Sequence, residues 1–233
     1  MTSDAFSLHC GALSEAKLVG FTGVEKISRP FEFEIFFTVP AETVVRTAVG
    51  EAATLTASRG DEQAAMAWHG VFARLRLLHK TQERALYAGL LVPRLWLLQH
   101  HVRSYVHTKG SGSNSLSGFV GRTLEHGGLA GADFRFSVTD SLYADEEFVC
   151  QYRESHLDFV QRWLEREGAY YYFEHEPATQ GTPVMVLVDD RGHHQPLLDS
   201  VAVRYFPGAA GDFARDESLR ELYVDYQWLP GSV

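Results

Sequence analysis

Residues Cys150–Glu176 read CQYRESHLDFVQRWLEREGAYYYFEHE, and this stretch predicts a strand, a capped helix and a second strand in direct succession. The residues before the helix alternate as in a strand, and Ser155 with Asp158 three residues later forms a capping-box-like pair. Gly168 permits the left-handed turn that ends many helices, and the aromatic run after it favours a strand. One apolar stripe at helical spacing marks the face that the helix buries: Leu157, Val160, Trp163 and Leu164.

The first part of the chain predicts a β-rich domain. Between residues 5 and about 107, short stretches alternate apolar and polar residues and are separated by polar turns. This pattern is typical of a small barrel or sandwich. The stretch 40–49 leaves a short helix and a strand both open. The predicted strands include Phe31–Ile35, Thr54–Thr56, Val71–Leu78 and Tyr87–Leu98, with a hairpin tip at Lys80–Arg84.

The second part predicts an α+β insert followed by further strands. Thr108–Asn114 has the composition of a flexible linker, and Ser115 can cap a helix that ends at Gly127. Gly118 and Gly121 are expected to weaken that helix by roughly 1 kcal/mol each relative to alanine. Further strands are predicted at 134–138, 184–188, 201–205 and 219–228. The predicted fold class is therefore α+β and mostly β, with domains at 1–107, 108–192 and 193–233.

Composition argues against several classes of protein. The 233 residues include 21 Lys and Arg against 30 Asp and Glu, a net charge of −9, so no basic face for nucleic acid or an anionic membrane is expected. The apolar run 86–98 is too short to span a bilayer, and the N-terminus lacks the pattern of a secretory signal. Cys150 is expected in a buried strand as a small hydrophobic residue, and no structural disulfide with Cys10 is predicted.

No catalytic or metal-binding pattern is found. Eleven histidines include the pairs His100–His101 and His193–His194, but neighbours on a strand point to opposite faces. Glu165 and Glu167 lie two apart on the predicted helix and so do not face each other as paired catalytic carboxylates would. The sequence thus predicts a non-enzyme with no cofactor. A peptidoglycan or carbohydrate hydrolase remains the alternative from another class, because of the acidic clusters and the aromatic strand.

The order of motifs resembles the VgrG spike proteins of bacterial type VI secretion systems, which are similar in their N-terminal part to the tail hub of contractile phages. The matching segments are YRES-x-LDFV in the quoted stretch, FTGVEKISRPFEFE at 21–34, WHGVF at 68–72, YAGLLVPRLWLL at 87–98 and LVDD at 187–190. The resemblance implies a structural role for the signature residues Gly23, Glu25, Ser28, Arg29, Pro30, Phe31, Pro93, Tyr152, Arg153, Glu154, Ser155, Asp158, Phe159, Glu167 and Gly168.

The resemblance implies a first hub β-barrel over 1–107, an insert with two helices over 108–192 and an incomplete second barrel over 193–233. It further implies a homotrimer that caps the hexameric Hcp tube, contacts baseplate proteins and carries effector or adaptor proteins. Such a protein is made in the cytoplasm and fired by the type VI apparatus without a signal peptide. The alternative within this class is the hub of a contractile phage tail or related injection particle. The chain stops where the family continues, so a fragment that is monomeric or weakly oligomeric is expected.

Overall fold

The computed structural model describes residues 6–13, 15–57, 66–175, 182–194, 204–205, 218–219 and 223. The chain divides into a compact unit Met1–His193 and a second unit His194–Val233. The second unit contains, among its described residues, two short parallel strands, which are numbered β12 and β13 in chain order: Arg204–Tyr205 and Ser218–Leu219. Most of the strands predicted at 201–205 and 219–228 lies outside the described residues. The predicted domain boundaries stay predictions.

A curled six-stranded antiparallel sheet forms the N-terminal part of the larger unit, with strand order β1-β4-β5-β6-β3-β2. Alternation along β3 places one face of the sheet on a core, because Phe31, Phe33 and Ile35 are buried while Glu32 between them is exposed. The strands are β1 Phe6–Cys10, β2 Lys17–Lys26, β3 Arg29–Pro40, β4 Ala52–Ala57, β5 Met66–Lys80 and β6 Arg84–Val92.

The strand predicted at 87–98 is too long. Strand β6 ends at Val92, and Pro93 then precedes a 3₁₀ helix, Arg94–His100. Proline cannot donate to a β ladder, and an apolar run of this length does not by itself separate strand from helix. Leu95 and Leu98 of this helix are buried. The stretch 40–49, for which the sequence allows a short helix or a strand, contains the 3₁₀ helix Val45–Ala48.

Two helices and five strands form a second layer with its own apolar core. Helices α1 and α2 pack together, β7 pairs with β9 in an antiparallel ribbon, and a three-stranded sheet has the order β10-β11-β8. The elements are α1 Leu116–His126, α2 His156–Glu167, β7 Val102–Thr108, β8 Phe134–Ser137, β9 Phe148–Ser155, β10 Tyr170–Glu174 and β11 Val184–Val188.

The strand–helix–strand unit predicted from residues 150–176 is present as β9, α2 and β10. Ser155 Oγ accepts a hydrogen bond from the Asp158 N–H at 3.0 Å, which is the predicted cap. Gly168 ends the helix in the left-handed conformation with φ of +72°. The whole predicted apolar stripe is buried, including Trp163 at 6% exposure.

The predicted linker 108–114 is instead fixed to the second layer. Asn114 is fully buried, and its side-chain Nδ2 donates to the carbonyl oxygen of Glu146 at 2.9 Å. Its Oδ1 accepts from Arg122 Nη2 at 2.8 Å, and its N–H donates to Asp145 Oδ1 at 2.8 Å. A single asparagine thus holds the segment through several hydrogen bonds, which composition alone cannot indicate.

Gly118 has a packing role that helix propensity does not reveal. A Cβ built at Gly118 would lie 2.1 Å from the carbonyl oxygen of Ser113, which is a main-chain atom and cannot simply rotate away. A Cβ at Gly121 would instead lie 3.5 Å from the Phe136 ring, an ordinary contact. The two glycines of α1 therefore have different physical reasons to be there.

We expect Gly118→Ala and Gly121→Ala to change stability in opposite directions. Gly118→Ala should lower the free energy of unfolding by about 1–3 kcal/mol, because the chain around Ser113 must shift. Gly121→Ala should raise it by up to about 1 kcal/mol through helix propensity. Urea unfolding of the matched pair measures both effects. Stabilisation by both substitutions would contradict the close approach.

Candidate assembly joint and exposed surfaces

The turn between β2 and β3 is hydrogen-bonded to helix α2 and strand β10. The Ser28 N–H donates to the Tyr171 carbonyl oxygen at 2.8 Å, and Gln161 Nε2 donates to the Ser28 carbonyl oxygen at 3.3 Å. Gln161 Nε2 also lies 3.0 Å from the Tyr171 hydroxyl, and Arg29 Nη1 donates to Gln161 Oε1 at 3.2 Å. We call Ser28, Arg29, Gln161 and Tyr171 the joint, since their hydrogen bonds connect segments up to 143 positions apart.

Local backbone geometry presents the turn to the helix. Ser28 adopts φ of +58°, in the left-handed region, which turns the chain sharply enough for its N–H and carbonyl to face the second layer. Burial raises the pKa of Tyr171 to about 12, so its hydroxyl stays neutral and can accept from Gln161 at any physiological pH.

A second contact between the two layers lies beside the joint. The Phe31 ring meets the Phe173 ring edge-on at 5.2 Å between centroids. Trp68 Nε1 donates to Glu25 Oε2 at 3.1 Å, and His175 Nε2 lies 3.6 Å from Glu25 Oε1. The His175 ring, more than the Trp68 N–H, lowers the pKa of the Glu25 carboxyl against the effect of burial. Apolar and charged contacts thus act together here.

A groove of ≈ 570 Å³ lies between the β2–β3 turn and α2. Its lining includes two basic residues, Arg29 and Arg162, and two acidic residues, Asp158 and Glu165. A balanced lining does not favour a strongly charged ligand of either sign.

Strand β9 carries four of the predicted signature residues: Tyr152, Arg153, Glu154 and Ser155. Arg162 holds Glu154 with two hydrogen bonds, of 2.6 Å and 3.1 Å, and so ties α2 to β9. Arg153 has φ of +50°, and its N–H donates to Ser104 Oγ at 3.2 Å, where the pairing with β7 is irregular. The Tyr152 side chain is 64% exposed, with the Arg153 guanidinium 5.3 Å from its ring centre.

Cys150 is exposed, so the expectation of a buried cysteine is wrong. Strand β9 covers the helices with one face only, and Val149 and Gln151 occupy the inward positions on either side of Cys150. Cys10 is buried, and both thiols are free.

Two buried histidines lie under the β7–β9 ribbon. His107 stacks on Phe159 at 5.5 Å, and its Nε2 lies 3.2 Å from Thr123 Oγ1. Because the Thr123 hydroxyl donates to the Phe119 carbonyl, His107 Nε2 carries the proton and donates to Thr123. Among the described residues, His107 Nδ1 and His156 Nε2 have no hydrogen-bond partner. Burial therefore lowers the pKa of both rings to about 4.

We expect stability to fall as pH decreases from about 6.5 to about 4. In this window the unfolded chain protonates its histidines near their ordinary pKa of 6.5, whereas folded His107 and His156 stay neutral. Protons then favour unfolding, and the contribution of these two residues levels off below pH 4. The measurement is urea unfolding across pH 4–8 for wild type and His107→Gln, which removes one titrating ring. An equally steep pH dependence in the variant would contradict the assignment of the effect to His107.

Residues considered for chemistry are placed as follows. Among the described residues, no group of three or more His, Cys, Asp and Glu is arranged to hold a metal ion. Glu165 is exposed on α2, and Glu167 forms an ion pair with Arg166 at 3.3 Å. Tyr171 points into the core, so the aromatic run packs as a strand. In the part of the chain that the structure describes, no helix is long and apolar enough to cross a membrane.

Four of the predicted signature residues lie at the contacts between the two layers. Ser28 and Arg29 belong to the joint, Glu25 and Phe31 lie at the second contact, and the β9 residues hold α2 from its other side. Gly23 lets the Phe33 ring lie across β2, because a Cβ there would come within 2.1 Å of the ring. Their roles in the family stay predictions. Sequence reasoning missed Gln161 and His107, since neither belongs to a recognisable pattern.

Comparison with known proteins agrees with this architecture. The chain is 28% identical over 195 residues to the type VI secretion system spike protein VgrG1b of Pseudomonas aeruginosa, covering 83% of this chain and 25% of that protein. It is 30% identical over 166 residues to VgrG1c of the same organism, covering 71% of this chain and 21% of that protein. The chain thus spans about a quarter of the length of these curated relatives.

Solved structures share the fold. An Escherichia coli component of the type VI secretion system, described as similar to T4 bacteriophage tail proteins gp27 and gp5, superposes with a TM-score of 0.70 at 25% identity. That match covers 81% of this chain and 50% of the other. A prophage MuSo2 tail protein from Shewanella oneidensis has a TM-score of 0.51 at 12% identity, covering 78% of this chain and 54% of the other, and shares the fold alone.

These neighbours confirm the predicted class, an α+β and mostly β hub fold, and the predicted resemblance to VgrG spikes. A family model described as the phage tail baseplate hub (GPD) matches residues 24–233. Because that match covers most of the chain, this protein belongs to the phage tail baseplate hub (GPD) family, whose members are structural parts of injection machines.

Proposed function

We propose that this chain is the N-terminal hub of a type VI secretion spike. Three copies would form a ring that caps the hexameric Hcp tube, contacts baseplate proteins and carries effector or adaptor proteins. The protein would be made in the cytoplasm and leave the cell when the sheath contracts. It would act mechanically and without catalysis.

One observation carries this proposal. The E. coli type VI component superposes on 81% of this chain at a TM-score of 0.70, which is a larger share than either layer contains alone. A solved complex between PdpA and VgrG, which shares the fold at a TM-score of 0.54 and 10% identity, indicates that a VgrG protein can hold a second protein. The joint supports a mechanical role, because it connects the two layers through main-chain and side-chain hydrogen bonds.

Capping of the tube can be measured directly. The purified chain is mixed with assembled Hcp tubes from the same genome and sedimented, and negative-stain images are recorded of the pellet. We expect the chain to sediment with the tubes and to lie at tube ends. Tubes assembled from a contractile phage tail-tube protein serve as the matched control. Binding to neither tube would contradict a hub function.

The hub of a contractile phage tail or related injection particle is the second candidate. The family description, phage tail baseplate hub, favours it as much as the type VI hub. Binding to the phage tube and not to Hcp would select it. A hydrolase would instead release soluble fragments from purified peptidoglycan, and we expect none.

A further inference from the structure

The outward face of the β7–β9 ribbon is apolar although it meets solvent. Val106, Phe148 and Tyr152 are 49%, 68% and 64% exposed, and Cys150 is also exposed. Phe148, Cys150 and Tyr152 are alternate residues of β9 and so lie on one face. Val106 lies directly opposite Cys150 in the register and therefore shares that face. We call Val106, Phe148, Cys150 and Tyr152 the outer strip.

The inner face of the same ribbon already packs on the helices. His107, Val149 and Gln151 are buried there, and His107 contacts Phe159 of α2. An antiparallel sheet with one face on a core normally carries polar residues on its other face. A continuous apolar strip at that position is the pattern of an interaction surface rather than of scattered exposed residues.

The two ends of the outer strip carry opposite charge. Arg103 and Arg153 are exposed at one end, where β7 begins and β9 nears its end. Glu154 lies opposite Arg103 in the register, but it is paired with Arg162 of α2, so this end keeps net positive charge. The acidic segment 145–147 precedes β9 at the other end, and Lys109 there is bonded to Asp145 and Glu147. Arg166 of α2 also pairs with Glu146 at 3.8 Å. Three carboxylates against these two cations leave the end at 145–147 with net negative charge, while the middle of the strip carries none.

We propose that the outer strip pairs with the same strip of a second copy of this chain, antiparallel and about a two-fold axis near Cys150. Antiparallel pairing places the arginine end of each copy against the acidic end of the other, twice per contact. Parallel stacking would place like charges together, which is unfavourable. A two-fold contact is self-complementary, so it joins copies in pairs and is separate from a three-fold ring.

The size of the outer strip limits the expected affinity between two copies. Two strands of about eight residues present far less surface than the 1,200–2,000 Å² typical of stable interfaces. The contact is therefore expected to be reversible, with a dissociation constant in the micromolar range or weaker, and to be sensitive to salt because its orientation depends on charge.

Cross-linking through Cys150 tests the position of the axis. The chain contains two cysteines, and Cys10 is buried. A short bismaleimide reagent added to the folded chain should give a cross-linked dimer, which Cys150→Ser abolishes and Cys10→Ser retains. The absence of a cross-linked dimer at high protein concentration would overturn the proposal. That result is also expected if a different protein, and not a second copy, covers the outer strip.

A charge swap tests the antiparallel orientation. Arg153→Glu and Glu147→Arg should each lower the cross-linked fraction and weaken dimerisation in sedimentation equilibrium by roughly tenfold, and the double variant should recover most of it. Far-UV circular dichroism and melting curves verify that each variant is folded. Failure of the double variant to recover, with all three variants folded, would overturn the antiparallel arrangement.

Discussion

Trp163→Ala is expected to lower the free energy of unfolding by about 3–5 kcal/mol, because it removes a large buried ring from the second core. The Trp163 ring lies 4.9 Å from the Phe119 ring and 6.5 Å from the Phe159 ring, so it connects α1 and α2. The Arg166 guanidinium lies 4.4 Å from the ring centre and covers its outer side. Urea unfolding followed by circular dichroism measures the loss.

Trp163→Phe is the matched control. It keeps an aromatic ring against Phe119, and it costs no hydrogen bond, since Trp163 Nε1 has no partner among the described residues. We expect it to cost clearly less than alanine. A wild-type unfolding curve for Trp163→Ala would mean that the ring is not part of the core.

Phe31→Ala should cost a similar 3–5 kcal/mol, and it should also loosen the contact between the two layers. The Phe31 side chain is 1% exposed, and its ring meets Phe33 within the sheet and Phe173 in the second layer. Removing a ring that packs against both layers should weaken the coupling between them, so that the two layers unfold at different denaturant concentrations. We therefore expect fluorescence and circular dichroism to report different midpoints in the variant.

Phe148→Ala is the matched control, because it removes the same ring from an exposed position. Phe148→Ala, measured at protein concentrations too low for self-association, should change the free energy of unfolding by less than about 0.5 kcal/mol. Equal losses at Phe31 and Phe148 would contradict the burial of Phe31. Coincident midpoints for Phe31→Ala would show that the layers unfold as one despite the lost ring.

Local signals in the sequence predicted much of the fold. The helix α2 was predicted with its cap at Ser155 and its end at Gly168, because capping and turn residues act within a few positions. Strands such as β3 followed from strict alternation. Pro93 indicates a break in the strand, but the residues on both sides of it are apolar, so the pattern does not show that the strand changes to a 3₁₀ helix there.

Contacts between distant segments could not be predicted in the same way. Gln161 is a polar residue beside an apolar stripe, and nothing local shows that it bonds the β2–β3 turn. Helix propensity marks Gly118 only as a weak point of α1, whereas the structure shows that a side chain at this position would collide with the carbonyl oxygen of Ser113. The outward position of Cys150 depends on which face of β9 meets the helices, and alternation alone leaves that choice open.

The joint should close late in folding. Ser28 and Gln161 are 133 positions apart, so bringing them together carries a larger loop-closure cost than pairing neighbouring strands or folding the local unit β9–α2–β10. Interactions absent from the folding transition state act on the unfolding rate alone. Gln161→Ala should therefore accelerate unfolding in stopped-flow experiments and leave refolding unchanged, and slowed refolding would place the joint in the folding nucleus. During synthesis, the sheet would then form first and wait for α2 to emerge before the two layers lock.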